Sequence, residues 1–173
     1  MKKVLTSLLT IICCITFATL PTYASNIIEK PVVSDVSTIT CSSEYLGDGL
    51  YLDTELIEYV PESKISLMAA SSSKSAAMSS KIHDSKGNIL AEYTLSATFT
   101  YNGSTSSCTS VSHSSSVNAN GWSFTSAASS RSGNTASGSF TAVNKVLGIT
   151  VQTINRSLSI TCSADGTISK TTS

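Results

Sequence analysis

Charge is scarce in this chain. Asp, Glu, Lys and Arg make up 13% of its 173 residues, and the formal net charge is zero. That leaves no basic footprint for nucleic acid and no overall attraction to an anionic membrane. Histidine is equally rare: His83 and His113 are the only two, so any Ser–His–Asp chemistry must use one of them. The chain has no C-x-x-C or His-x-x-x-His spacing for a metal. It has no G-x-S-x-G elbow for a hydrolase and no glycine-rich loop for phosphate. Past residue 20 no stretch approaches the ~18 apolar residues of a membrane span. No cofactor or metal is expected.

Hydroxyl groups take the place of charge. Residues 63–141 contain 25 Ser and 8 Thr among 79 positions. Hydroxyls compete with helical backbone bonding, and Thr favours strands. Ser and Thr on outward faces keep a sheet soluble without charge. They blunt its edges only weakly, so self-association is an expectation.

The start of the chain reads as an export signal. Lys2 and Lys3 precede the apolar run 4–20, and Thr22-Tyr23-Ala24 fits the small-x-small pattern, with cleavage between Ala24 and Ser25. Removal of residues 1–24 leaves 149 residues, enough for one core. The mature chain is expected to be secreted, or loosely held at the cell wall, where disulfides are permitted. Cys13 and Cys14 leave with the signal. Cys41, Cys108 and Cys162 then allow three single bridges. Cys108–Cys162 is the expected one, because both lie in strongly β-like sequence and Cys41 belongs to a separate segment.

That segment is defined by charge. Residues 25–62 hold eight acidic side chains against Lys30, whereas residues 63–173 hold eight basic and three acidic ones. The two parts come to −7 and +5. An acidic N-terminal arm over 25–62 is expected, either solvated or folded back on the basic body, with a linker at 63–75 and a β-domain over 76–173. Within the arm, Leu52, Leu56 and Val60 share one parity, and Asp48-Gly49 supplies a turn.

The β-domain shows clear two-residue periodicity. Between Ile89 and Tyr101 every odd position is apolar, and all even positions but Leu90 are polar, which predicts a long strand with one buried face. Ala76, Met78 and Ile82 predict the strand before it, joined through Asp84-Ser85-Lys86-Gly87-Asn88. Asn102-Gly103 predicts a tight type I′ turn. Trp122, Phe124 and Ala128 form an inward set, followed by Ser132-Gly133-Asn134 and by Ala136, Gly138, Phe140 and Ala142. Ile149 and Val151 share one parity, but Ile154, Leu158, Ile160 and Cys162 share the other, which predicts a β-bulge near Gln152–Thr153. Asp165-Gly166 turns the chain again. The reading is an all-β antiparallel sandwich, with an immunoglobulin-like arrangement or a small barrel as the other forms. The order Cys108, Trp122, Cys162 resembles that of immunoglobulin domains, although Ile160 stands at the tyrosine-corner position.

Four stretches carry a closer resemblance: Tyr45-Leu46-Gly47-Asp48-Gly49-Leu50-Tyr51, Ala97-Thr98-Phe99-Thr100-Tyr101-Asn102-Gly103-Ser104, Val146-Leu147-Gly148-Ile149-Thr150-Val151-Gln152-Thr153 and Ile160-Thr161-Cys162-Ser163. Together they resemble a family of small secreted proteins of Gram-positive, clostridia-type bacteria, known as a domain of unknown function. The resemblance implies export and a β-rich domain. It brings no catalytic or binding residues.

Candidate chemistry is thin. His83 falls beside Asp84 at a turn, and His113 shares parity with Val111 and Val117 in a Ser-rich strand. Asp53, Glu55 and Glu58 offer carboxylates for glycosidase chemistry, and Asp48, Asp53 and Glu55 offer oxygens without the spacing of a calcium loop. Tyr45, Tyr51 and Tyr59 are free to stack on sugars, whereas Tyr93, Tyr101 and Trp122 sit on expected core faces. The expected function is a non-enzymatic interaction module whose partner is an extracellular protein or glycan. The alternatives are an antagonistic protein whose acidic segment masks a basic β-domain until cleaved, and a hydrolase using His83 or His113.

Overall fold

Apolar and hydroxyl side chains alternating at a two-residue period produce strands, and Gly-, Asn- and Asp-bearing turns join them in series. The computed structural model describes residues 35–60 and 71–173, of which Asp35–Ile39 and Val60 are described by backbone alone. The strands are β1 (Asp35–Gly47), β2 (Leu50–Val60), β3 (Ser72–Asp84), β4 (Ile89–Tyr101) and β5 (Ser106–Val117), followed by β6 (Trp122–Ser132), β7 (Thr135–Val146), β8 (Ile149–Cys162) and β9 (Ile168–Thr172). β1 to β5 form one antiparallel meander and β6 to β9 a second. Their inner faces share one core, so the protein is an all-β antiparallel sandwich. Strands adjacent in sequence are adjacent in space. The Cys108–Trp122–Cys162 order therefore does not bring immunoglobulin topology with it. The signal cleavage point at Ala24 and Ser25 lies outside the described residues.

The core follows the alternation. Ala91, Tyr93, Leu95, Ala97 and Phe99 of β4 are buried against Phe140, Leu158 and Ile160 of the other sheet, with Met78 and Ile82 beside them. Tyr93 lies at the centre, stacked on Phe140 at 5.1 Å. Its hydroxyl donates to Ala128 O at 2.6 Å, which satisfies the one polar atom such a ring brings inside. Burial pushes the Tyr93 pKa up to about 12. Opposite the ring stands Gly138, where a Cβ would lie 2.5 Å from the Tyr93 hydroxyl oxygen. Thr54 and Ser80 are the buried polar side chains of the core, and their hydroxyls face each other at 3.5 Å.

Two bulges in the four-stranded sheet re-aim its faces. In β8 the register steps from Asn144↔Gln152 to Lys145↔Thr150, which leaves Val151 as the extra residue. It sits one position before the predicted Gln152–Thr153, and Ile154, Leu158, Ile160 and Cys162 then face inward. In β6 Thr125 is the extra residue, between Phe124↔Ala142 and Ser126↔Thr141. This bulge corrects the inward set of β6: Trp122 and Phe124 turn inward, but Ala127 follows them and Ala128 is exposed.

Three further expectations need correction. First, the acidic segment is no separate arm. β1 and β2 lie within it, and β2 pairs with β3 from Leu50↔Asp84 to Tyr59↔Ser75. Leu52 and Leu56 are core residues. The expected linker 63–75 falls partly outside the described residues, and β3 already begins at Ser72. Second, Asn102-Gly103 is not a two-residue type I′ turn. Four residues separate β4 from β5, and Asn102 Oδ1 organises them by accepting from Ser104 N at 3.0 Å and Thr105 N at 2.8 Å. Third, Cys108 and Cys162 are not bridged. Both are buried free thiols of the shared core, while Cys41 is exposed. The Cys108 thiol donates to Ser110 O at 3.3 Å and that of Cys162 to Ser163 O at 3.4 Å.

Candidate functional site

The outer face of the five-stranded sheet carries the chemistry that the core excludes. With Leu52, Thr54 and Leu56 turned inward, Tyr51, Asp53 and Glu55 must turn outward. Strand register then sets their neighbours. Tyr45 pairs with Tyr51, and Tyr51 with His83. One row further, Ser43, Asp53, Lys81 and Glu92 align, and next to them Cys41, Glu55, Ser79 and Thr94.

The first row is a column of rings. Tyr51 and His83 stack at 5.4 Å with 10° between their planes, and Tyr45 tilts against Tyr51 at 5.1 Å. Tyr45 ends the column on the edge strand and is 61% exposed. Its phenol oxygen accepts from Gly49 N at 3.3 Å, which fixes the ring over the β1–β2 turn.

The second row is electrostatic. His83 Nδ1 donates to Asp84 O at 2.9 Å. Its Nε2 stands 3.0 Å from Asp53 Oδ2, an ion pair off the axis of a good hydrogen bond. The Asp84 carbonyl, and after it the Asp53 carboxylate, raise the His83 pKa above its ordinary value against the opposing effect of burial. The Ser43 hydroxyl, with His83 behind it, holds Asp53 below the usual carboxylate range. Lys81 Nζ lies 3.1 Å from Glu55 Oε2, and that contact raises the lysine's pKa. Between these groups the face opens into a shallow depression of about 420 Å³, lined by Cys41, Ser42, Ser43, Asp53, Thr54, Glu55 and Lys81.

The order of these groups limits the acid–base chemistry they can do together. In Ser43, Asp53 and His83 the carboxylate stands between the hydroxyl and the imidazole, so the imidazole cannot take the serine proton. Glycoside hydrolysis pairs an ionised carboxylate with a carboxyl group of raised pKa, and Asp53, held below the usual range, fits only the first of these roles. His113 does meet a serine, with Nδ1 2.9 Å from Ser129 Oγ. Its ring stacks on Tyr93 at 5.6 Å, and among the described residues no carboxylate orients it. Among the described residues no group of three His, Cys, Asp or Glu is placed to hold a metal, and no helix is long and apolar enough to cross a membrane. Tyr45, Tyr51 and Asp53 were visible in the sequence as separate residues. Their assembly with His83 was not, because it depends on the register of three strands.

No protein-family model matches the chain, and no curated protein does. Among solved structures it is similar to the crystal structure of a hypothetical protein from Listeria monocytogenes EGD-e, at 16% sequence identity and a TM-score of 0.41. That likeness covers 78% of this chain and 94% of the other.

Proposed function

We propose that the protein is a secreted, non-enzymatic binding module, and that its ligand is a cell-surface glycan held on the outer face of the five-stranded sheet. The observation that carries this reading is the Tyr45–Tyr51–His83 column beside a row of hydroxyl, carboxylate and ammonium groups. The C–H face of a pyranose packs against the free face of Tyr45, whose ring is backed by two others. Sugar hydroxyls donate to Asp53, Glu55 and the Ser43 oxygen and accept from Lys81. Because these groups are already paired with one another, they are oriented before the ligand arrives, which lowers the cost of ordering them.

Masking by the acidic segment gains little support. Among the described residues its four ion pairs, Lys74–Glu58, Lys81–Glu55, His83–Asp53 and Arg156–Glu44, each join it to the basic body. Releasing it would also expose Met78 and Ile82 behind β2.

The test is co-sedimentation of the purified chain from residue 25 with intact bacterial and host cells, with and without competing sugars. Saturable binding released by one sugar class, and weakened at least about tenfold by Tyr45→Ala, supports the reading. Binding to no cells, or release by no sugar, overturns it.

A further inference from the structure

The described residues leave a small set of large apolar side chains exposed, and four of them crowd the β7–β8 hairpin: Val146 at 53%, Leu147 at 97%, Ile149 at 69% and Val151 at 58%. The other three, Tyr45, Ile89 and Val117, lie beside the connections β1–β2, β3–β4 and β5–β6. In a pair of meanders these connections share one end of the sandwich. Backbone bonds tie them together there: Asn118 N donates to Leu90 O at 2.9 Å, and Lys145 N to Gly121 O at 2.7 Å.

We propose that the β7–β8 tip inserts into the interfacial layer of a lipid bilayer and so fastens this end of the protein to a membrane surface. The tip turn is Leu147-Gly148, with φ of 50° and 81°. A two-residue turn of that kind favours Asn, Asp or Gly at its first position, because the Cβ of any other residue is crowded there with no local hydrogen bond to offset it. Leucine occupies the position and makes almost no contact within the fold. The strain is thus kept for a side chain that the fold does not use, the pattern seen where a residue serves an outside partner. Val146 and Ile149 pair directly behind it, and the bulge at Val151 turns out a further aliphatic group.

The occupant follows from the size of this surface. A stable protein partner or a second copy needs about 800 Å² and roughly 20–30 residues on each side, and the patch here is four side chains on one hairpin tip. A fluid apolar medium needs no complementary surface, and each side chain gains as it enters. Lys145 and Thr150, one pair back along the hairpin, fit the headgroup level, where the lysine stem lies in the apolar layer and its ammonium in water. The insertion is apolar and is therefore insensitive to salt and to headgroup charge. It does not rest on the glycan reading.

The test is flotation of the purified chain from residue 25, a form without the apolar run 4–20, with phosphatidylcholine vesicles and with mixed phosphatidylcholine–phosphatidylglycerol vesicles. Both are run at low and at high salt. Wild type is expected to float with both, equally in either salt. Leu147→Asn with Ile149→Thr is expected to cut the bound fraction at least about tenfold. Leu147→Asn alone relieves the turn, so it keeps the fold, which a thermal melt verifies, and it too floats less. Wild type remaining unbound, or the double variant floating as well as wild type, overturns the proposal. The vesicles carry no sugar, so neither result bears on the glycan reading.

Discussion

The end of the sandwich built from the β4–β5, β6–β7 and β8–β9 connections is polar and closes on itself. Gly103 N donates to Ala164 O at 2.8 Å, Cys108 N to Gly133 O at 2.8 Å and Cys162 N to Asn134 O at 3.1 Å. Lys74 reaches Gly166 O at 2.8 Å and Glu58 at 3.3 Å. The opposite end has polar turns of its own at Asp84–Asn88, yet among the described residues all the exposed large apolar side chains stand there. One end spends its groups on the fold and the other keeps groups the fold does not need. The difference separates stability from recognition, and it can be tested at each end.

The largest contrast is in thiol chemistry. Cys108 and Cys162 lie buried at the polar end, where burial raises both pKa values, while Cys41 is exposed. In native protein from residue 25 a thiol reagent is expected to modify Cys41 promptly and the other two slower by orders of magnitude, after opening of the fold. Denaturation without reductant should then yield three alkylated cysteines by mass spectrometry. A count of one would instead mean a bridge between the buried pair.

Backbone packing at the polar end comes next. Gly166 has φ of +86°, and a Cβ there would run into the Tyr101 ring. Gly166→Ala adds left-handed strain to a clash with the half-buried Tyr101 ring, which must shift, at roughly 2–4 kcal/mol. Urea denaturation of the two proteins measures it. Arg131→Ala removes a guanidinium bound to Cys108 O at 2.8 Å and to Thr109 O, across the gap between β5 and β6. It is expected to cost about 1–2 kcal/mol in the same assay. At the apolar end the sign reverses: Leu147→Asn should raise stability by roughly 1 kcal/mol. A loss of similar size would show that Leu147 contributes to the fold and would erase the contrast between the ends.

Where a strand buries one face against large neighbours, the sequence carries its own instructions. Ile89 to Tyr101 alternates without a break on its apolar face, and the parity switch after Val151 betrayed a bulge within one residue of its place. The Thr125 bulge left no such mark, because small residues fill both faces of Ser126 to Ser130 and a flip changes nothing visible. Asn102-Gly103 satisfied the rule for a tight turn, but the Asn102 side chain offered the backbone a different closure. The acidic segment misled for another reason. Its carboxylates read as solvated until β2 is laid beside β3, when Glu55 meets Lys81 and Asp53 meets His83. The ring column has the same origin, since residues 45, 51 and 83 become neighbours only through pairing.

The smallest expected effect tests that pairing at the edge of the apolar end. His83 has a pKa raised above its ordinary 6.5, so its charged form contributes stability fully below 6.5. The contribution is lost as pH rises through the folded-state value. Asp53 has the opposite shift from 3.8, and its contribution is present above 3.8 and lost as pH falls through its lowered value. The pair therefore works best between the two, in mildly acidic solution. His83 is 19% and Asp53 46% exposed at the side chain, so solvent screens the attraction and the gain stays below about 1 kcal/mol. Melting temperatures of wild type and His83→Gln, compared at mildly acidic and at alkaline pH, should differ more in acid than in base. If the gap is constant across that range, the imidazole acts by stacking on Tyr51 alone, and the charge beside the ring column plays no part in holding it.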